Sequence, residues 1–478
     1  MRVTRDAAVT AVLALVLAAW ALIVVRSWDT WVEMNHTTGT VAALADAALH
    51  GEAAGHEGAS EYLGALYAPP YPLLVAALEH AGLSWLHALR LGSLLSAPLL
   101  LAAAAWAARA AGASAGGVGV TLALLAACNL FKVASLGGRA DLCSAALTVM
   151  AVGAWLRDRE LKGWACALLA AAAWLCKVSE VTTPLAILGL SALTRDGAAA
   201  GRFVLRFALG CVAGVALLLP FHSLSWYAGV LSTTLFAPPN LSHKLRGPAE
   251  VLRYVGSFAE LGLVAVMAVS ALLEPAMRRS PLRWSTGAAL LVAMAVLANR
   301  GSDHNHLLTT IALAGVCAGA AWETSAASTF GLVAVAIVLP AACWRDVAAH
   351  ARYAAAAGAR REHVIAAIRA EPGPVLAEDP LLLLAAGRRT PITDPATLRS
   401  RALAGDPRAQ RIAAEMTARR WALVVLESDA ETSVAWYRDF HFGDAVMRPL
   451  LAGYEPAGNV DDFVFYRPRP AAAPGQER

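Results

Sequence analysis

Charge is scarce in this chain. Of its 478 residues only 15% are charged, and just four are lysine: Lys132, Lys162, Lys177 and Lys244. With 58% of residues hydrophobic, so little charge excludes an ordinary soluble globular protein, which could not hide that much apolar side chain. A formal net charge of +4 gives no argument for nucleic acid as a partner. Cysteine is sparse as well: seven residues, an odd number, all inside apolar runs, which predicts free thiols used as small apolar side chains rather than a disulfide framework. The first apolar run, Ala7 to Val25, ends in Val-Val-Arg-Ser-Trp and lacks a small-x-small cleavage pattern, so it reads as an uncleaved anchor. No internal repeat is present.

The most informative absence is local. From Ser27 to Leu89 there is no lysine or arginine, whereas Arg2 and Arg5 precede the first apolar run. Basic residues of short loops stay on the cytoplasmic side, so this first loop is expected to face outward. About eleven candidate spans follow from the apolar runs between residues 7 and 344. The loops expected inside hold Arg109, then Arg157, Arg159 and Lys162, then Arg195, Arg202 and Arg206, then Arg278, Arg279 and Arg283. Lys132, Arg139, Lys177, Lys244, Arg246 and Arg300 fall outside against that rule, which makes them candidates for binding an anion.

These patterns predict an all-α polytopic membrane domain over residues 1–344, with outer loops at 27–87 and 222–256. Residues 345–466 turn polar, with short apolar runs at 374–377 and 421–426 between helix-like stretches, and read as a small extracytoplasmic α/β domain. The Pro/Ala-rich end, 467–478, reads as disordered.

Polar clusters gather on the expected outer face. Asp29 follows the first span at the membrane edge, where partial desolvation can tune a carboxylate as a general base, and Glu33 is the second acid of that loop. Asn35 and His36 precede Thr37 and Thr38, either of which could cap an amphipathic helix along the membrane surface that ends at Gly51. The free N–H groups of such a helix start attract phosphate. Tyr71 lies in the cluster Tyr67-Ala-Pro-Pro-Tyr-Pro72. Arg139 and Asp141 can pair with each other, or Asp141 can hold the arginine toward a phosphate; Lys177 and Glu180 can pair across a tight hairpin or serve a ligand. Lys244 and Arg246 sit in the long later loop, where they could meet lipid phosphates. Asp303, His304, Asn305 and His306 crowd the start of a span; capping, substrate contact and metal ligation are all open to them, and no metal is assigned.

Taken in order, Asp29, Asn35-His-Thr-Thr-Gly39, Ala68-Pro-Pro-Tyr-Pro-Leu73, Arg90-Leu-Gly-Ser93, Gly138-Arg-Ala-Asp141, the Lys177 hairpin and Asp303-His-Asn-His-Leu307 resemble the polytopic membrane glycosyltransferases of the C-type fold. The similarity is to bacterial relatives of protein O-mannosyltransferases and of lipid A aminoarabinose transferases, and it covers about the first 345 residues. The resemblance implies an enzyme that moves a sugar from a polyprenyl-phosphate carrier to a glycan, lipid or protein acceptor on the outer face of the bacterial cytoplasmic membrane. It implies Asp29 as the base, with Glu33 in reserve; Thr30 stands where the mannosyltransferases have the second acid of an Asp-Glu pair. No cofactor is required, and a divalent cation is compatible. Direct displacement would invert the anomeric centre. A transporter or flippase of lipid-linked sugars, a ligase or polymerase of envelope glycans, and a non-catalytic assembly anchor are the alternatives.

Overall fold

The structure, a computed structural model, describes residues 2–51, 67–224, 226–228, 246–298, 303–323, 328–460 and 462–470. The chain begins with α1, Arg2–Ser27, a 26-residue apolar helix roughly 39 Å long, sufficient to cross a bilayer core. After a loop come α2 (His36–Leu49), α3 (Pro70–His80) and α4 (Trp85–Ala110). Pro98 sits inside α4, a position tolerated where neighbouring helices re-satisfy the freed backbone group.

The next span is broken. Helices α5 (Ala115–Ala127) and α6 (Asn129–Leu136) meet at Cys128, which is extended, and bend by 63°. Then follow α7 (Asp141–Arg157), α8 (Ala165–Cys176), α9 (Thr182–Thr194) and α10 (Gly197–Leu218). A second break, of 113°, lies at Phe258 between α11 (Arg246–Ser257) and α12 (Ala259–Leu273). After α13 (Pro281–Leu297) and a 3₁₀ turn at His304–Leu307, α14 (Leu308–Ala320) leads to the 43-residue α15 (Ser328–Ala370).

Among the described residues, four helices are long and apolar enough to span a membrane, or six if each bent pair is one span; α8, α9 and α13 are shorter apolar helices. On α10 the large side chains point out: Leu205, Val212 and Leu217 are exposed, as lipid-facing residues must be. Inside, small residues allow close helix crossings. A methyl group on Gly117 would strike the carbonyl of Gly319, so α5 and α14 approach backbone to backbone.

Position 345, the expected domain boundary, lies within α15, which continues without a break to Ala370. Residues 360–369, one of the helix-like stretches of the polar region, are therefore the end of this helix, not a separate one. Beyond it, β1 (Val375–Ala377), β2 (Leu423–Leu426), β3 (Tyr454–Val460) and β4 (Phe463–Pro468) form a sheet of order β1-β2-β4-β3. The β1–β2 pair is parallel, and the other pairs are antiparallel. Short helices α16 (Pro380–Ala385), α17 (Pro395–Leu403), α18 (Pro407–Thr417), α19 (Val434–Asp439) and α20 (Asp444–Gly453) complete this α/β unit. Arg467 and Pro468, expected in a disordered tail, belong to β4, and Arg467 pairs with Glu371 at 2.6 Å. Residues 471–478 of that tail lie outside the described residues.

Strand alternation gives the sheet two apolar faces. Leu376 and Val424 join Ile412, Met416, Tyr437 and Leu450 in the unit's own core. Val375, Ala377, Leu423 and Val425 instead pack with Val364, Ile365 and Ile368 of α15 and with Val41 and Leu44 of α2. The polar domain is thus docked on the helical one through a shared core.

That docking corrects the expectation for α2. Thr38 through Ala47 are buried without interruption, so the helix has no face along a membrane surface; α16 covers the side that would have been exposed. Its cap also lies earlier than expected. Asn35, not Thr37 or Thr38, accepts hydrogen bonds from the N–H groups of Thr37 at 3.1 Å and Thr38 at 3.2 Å.

Candidate active site

Several of the outer-face residues converge. Lys177, extended at the end of α8, places its ammonium 2.5 Å from Asp141 Oδ1 at the start of α7. Asn305 Nδ2 donates to the other oxygen of Asp141 at 2.9 Å. Arg139 Nη1 donates to Asp303 Oδ2 at 3.2 Å, and its Nε lies 3.8 Å from Asp141, buried without a hydrogen-bond partner. His306 lies near Asp141 as well, and burial together with the Lys177 charge keeps its ring neutral. Lys177 and Glu180 do not pair: Glu180 accepts from Thr148 at 3.2 Å and Thr309 at 2.8 Å. Burial raises the Glu180 carboxyl, with Lys177 and the two hydroxyls opposing.

The turn that presents Arg139 depends on glycine. Gly138 has φ +61°, and a side chain there would meet Leu89 and Thr38. Thr38 also donates to the carbonyl of Gly137 at 2.8 Å, which ties the turn to α2.

The two acids of the first loop have different surroundings. Asp29 has a side chain 80% exposed and pairs with His87 Nε2 at 2.9 Å; His87 in turn stacks on Trp28. Glu33 is mostly enclosed, and its backbone sits in the left-handed region at φ +63°, an unusual state for a side chain of this size. The loop is clamped just before it. Arg90 donates to the carbonyls of Thr30 at 2.7 Å and Val32 at 3.1 Å, and Trp31 Nε1 donates to Glu362 of α15 at 2.6 Å. Burial raises the Glu33 carboxyl above the ordinary range, while the charges of Arg139 and Arg90 pull it down and Asp303 adds to the rise.

Glu33 opens onto a cavity of about 560 Å³ whose walls include Asn129 of α6, Phe258 at the α11–α12 break, and Asp346, His350 and Tyr353 of α15. Below the wall, Asp346 accepts from Lys132 at 2.7 Å and from Arg345 at 2.7 Å, and Arg345 also donates to Glu260 at 2.8 Å. Lys132, a candidate for an anion in the sequence, is fully buried and committed to this network.

The remaining candidates lie elsewhere. Tyr71 is buried and bonds Ser93 at 3.0 Å, fixing α3 against α4. His36 faces the α/β unit, 3.4 Å from Glu427, with its ring edge against His441. Burial works against a charged His36 ring, but Glu427, Glu378 and Asp394 outweigh it and raise it to about 9. The start of α2 thus faces carboxylates, and Asn35 already takes the N–H groups of Thr37 and Thr38. Arg246 pairs with Glu250 at 3.7 Å; His304 stacks on Tyr254 at 4.1 Å and lies 3.6 Å from the same Glu250. Lys244 lies outside the described residues. Among the described residues, no group of three or more His, Cys, Asp or Glu side chains is arranged to hold a metal ion.

Sequence reasoning passed over the α15 wall because Trp344-Arg-Asp346 looked like the end of a span. The signal was present: Asp346, His350 and Tyr353 recur at helical spacing and form one face.

A bundle with two sharply bent helix pairs, a clamped polar loop after the first helix and an α/β unit docked on the helical part define a fold that this chain shares with solved membrane proteins. ArnT from Cupriavidus metallidurans in the apo state superposes with a TM-score of 0.63 at 15% identity, covering 96% of this chain and 98% of that one. The same protein bound to undecaprenyl phosphate gives 0.61 at 15% identity, covering 97% and 99%. The archaeal oligosaccharyltransferase AglB from Archaeoglobus fulgidus, in complex with an inhibitory peptide and a dolichol-phosphate, gives 0.52 at 13% identity, covering 97% of this chain and 75% of that one. At such identities the likeness is one of fold. No protein-family model matches the chain, and no curated protein matches it significantly.

Proposed function

We propose that this chain is an integral membrane glycosyltransferase that moves a sugar from a polyprenyl-phosphate carrier to an envelope acceptor on the outer face of the cytoplasmic membrane. The observation that carries the reading is Glu33: a mostly enclosed carboxylate, in a left-handed backbone state just after the two carbonyls that Arg90 clamps, lining a cavity beside a cluster of fixed cations. Both ArnT bound to undecaprenyl phosphate and AglB in complex with a dolichol-phosphate share the fold, which supports a carrier of that chemistry.

The chemistry asks for two things. The acceptor hydroxyl must lose a proton as it attacks the anomeric carbon, and the carrier phosphate must gain negative charge as the old bond breaks. Glu33 is our candidate for the base. Asp29, the first choice from the sequence, is exposed and paired with His87, and we assign it to the rim. Arg139, with one buried N–H unbonded, and Lys177 are the candidates for the leaving phosphate, with Asp141, Asp303, Asn305 and His306 holding them in position. Attack from the face opposite the phosphate inverts the anomeric centre.

The test is release of label from a panel of radiolabelled polyprenyl-phosphate sugars by membranes containing the wild type, Glu33→Gln or Asp29→Asn. Turnover by wild type that is lost in Glu33→Gln supports the reading. Carrier translocation across sealed vesicles, with no panel donor consumed, would instead favour a flippase.

A further inference from the structure

His350 and Glu33 line the same cavity from different elements, one from α15 and the other from the loop after α1. His350 Nε2 lies 4.0 Å from Glu33 Oε1, a gap that a small side-chain rotation would close. The His350 side chain is 9% exposed, and its Nδ1 is buried with no hydrogen-bond partner. Asp346, one turn earlier on the same helix, is occupied by Lys132 and Arg345 and so does not compete for the ring.

We propose that His350 is a positioning residue for Glu33: the neutral ring donates from Nε2–H to Oε1 and fixes the carboxylate in the orientation and ionised state that a base requires. This rests on the reading of Glu33 as the base. The unbonded Nδ1 selects the tautomer. A buried nitrogen without a partner is tolerable as a bare lone pair, whereas an N–H stranded there would lose a hydrogen bond to water. With Nδ1 bare, the ring proton must sit on Nε2, the atom nearest Glu33.

The fixed charges around the pair set the background. Arg90, Arg139 and Asp303 act on Glu33, and Asp346, Lys132 and Arg90 act on His350, while Arg345 and Arg352 line the same cavity. None of them changes in the variants below. A hydrogen bond to the ionised form lowers a carboxyl's pKa. Loss of the donor should therefore raise the Glu33 midpoint and move the acid limb of a pH–rate profile to higher pH.

The experiment is an infrared titration of the purified full-length protein, in which the Glu33 carboxyl band is assigned by its disappearance in Glu33→Gln. His350→Phe should raise the Glu33 midpoint by about one unit or more. His350→Gln, whose amide can donate from a similar place, should restore most of the shift. If His350→Phe does not fold, nitrogen resonances of labelled histidine in the wild type and in Glu33→Gln report the same coupling: the Nε2–H form should dominate in the first and give way to a tautomer mixture in the second. An unchanged Glu33 midpoint across the foldable variants, or unchanged ring resonances, overturns the dyad. Transfer by Glu33→Gln separates the two ideas. Full transfer with the coupling present removes Glu33 as base and leaves the pair standing, while lost transfer with no coupling does the reverse.

Discussion

Lys177 Nζ stands 2.5 Å from Asp141 Oδ1, two charges 36 residues apart in sequence and both nearly excluded from solvent. Asp141 is the centre of the site's polar network, since Asn305 and Arg139 turn to it as well.

Breaking that pair from one side leaves a charge buried alone. Lys177→Met and Asp141→Asn should each destabilise the protein by about 3–5 kcal/mol, while the double variant should lose much less than the sum. Thermal unfolding of the four proteins in one detergent gives the coupling energy. Additive losses would mean that the two groups act independently.

The two first-loop acids should separate cleanly in kinetics. Glu33→Gln is expected to lower sugar transfer by about 10²- to 10⁴-fold, the range of a lost general base. Asp29→Asn, at an exposed rim position, is expected to stay within a few-fold of wild type. The measurement is initial transfer rate in membranes at matched protein level; the opposite order would return Asp29 to the catalytic role.

Gly39 is where α2 touches the α/β unit most closely: a side-chain carbon there would collide with Asp379 Oδ1 and crowd Pro380. Gly39→Val should cost about 1–3 kcal/mol by overpacking and loosen the docking of the unit. Limited proteolysis beyond residue 370 should become faster, whereas cleavage elsewhere should not change.

The contact of His36 with Glu427 should make the same junction sensitive to alkali. The folded His36 ring titrates at about 9, above its ordinary 6.5, so the folded state binds the proton more tightly. Its stabilising contribution is complete below about pH 6.5 and disappears as pH rises through about 9. Unfolding midpoints across that window should fall in the wild type and fall less in His36→Gln. Parallel curves would exclude His36 as the group responsible.

Much of the architecture was legible in the residues because its causes are local. Long apolar runs must cross a membrane, and the short unbroken apolar runs at 374–377 and 421–426 suit strands buried on both faces. Arg139, Asp141, Lys177 and Asp303 were legible as costly charges at span ends, and so was the pairing of Arg139 with Asp141; the pairings of Lys177 with Asp141 and of Arg139 with Asp303 were not. Lys177 had a nearer acid in sequence, Glu180, yet the turn between α8 and α9 aims the two side chains at different helices.

The sequence by itself determined that the protein is a polytopic helical bundle with a small α/β unit, and which polar residues are too expensive to be idle. Only the tertiary structure decided what those residues face. The continuation of α15 through position 345 supplies the cavity wall of Asp346, His350 and Tyr353, and docking of the α/β unit converts α2 from a surface helix into a buried one. Glu33 and Asp29, four residues apart and chemically alike, acquire different environments: Arg90 pins the loop between them at Thr30 and Val32, Glu33 lines the cavity, and Asp29 is left at the rim beside His87. Burial and pairing are properties of distant segments brought together, and no window of sequence contains them.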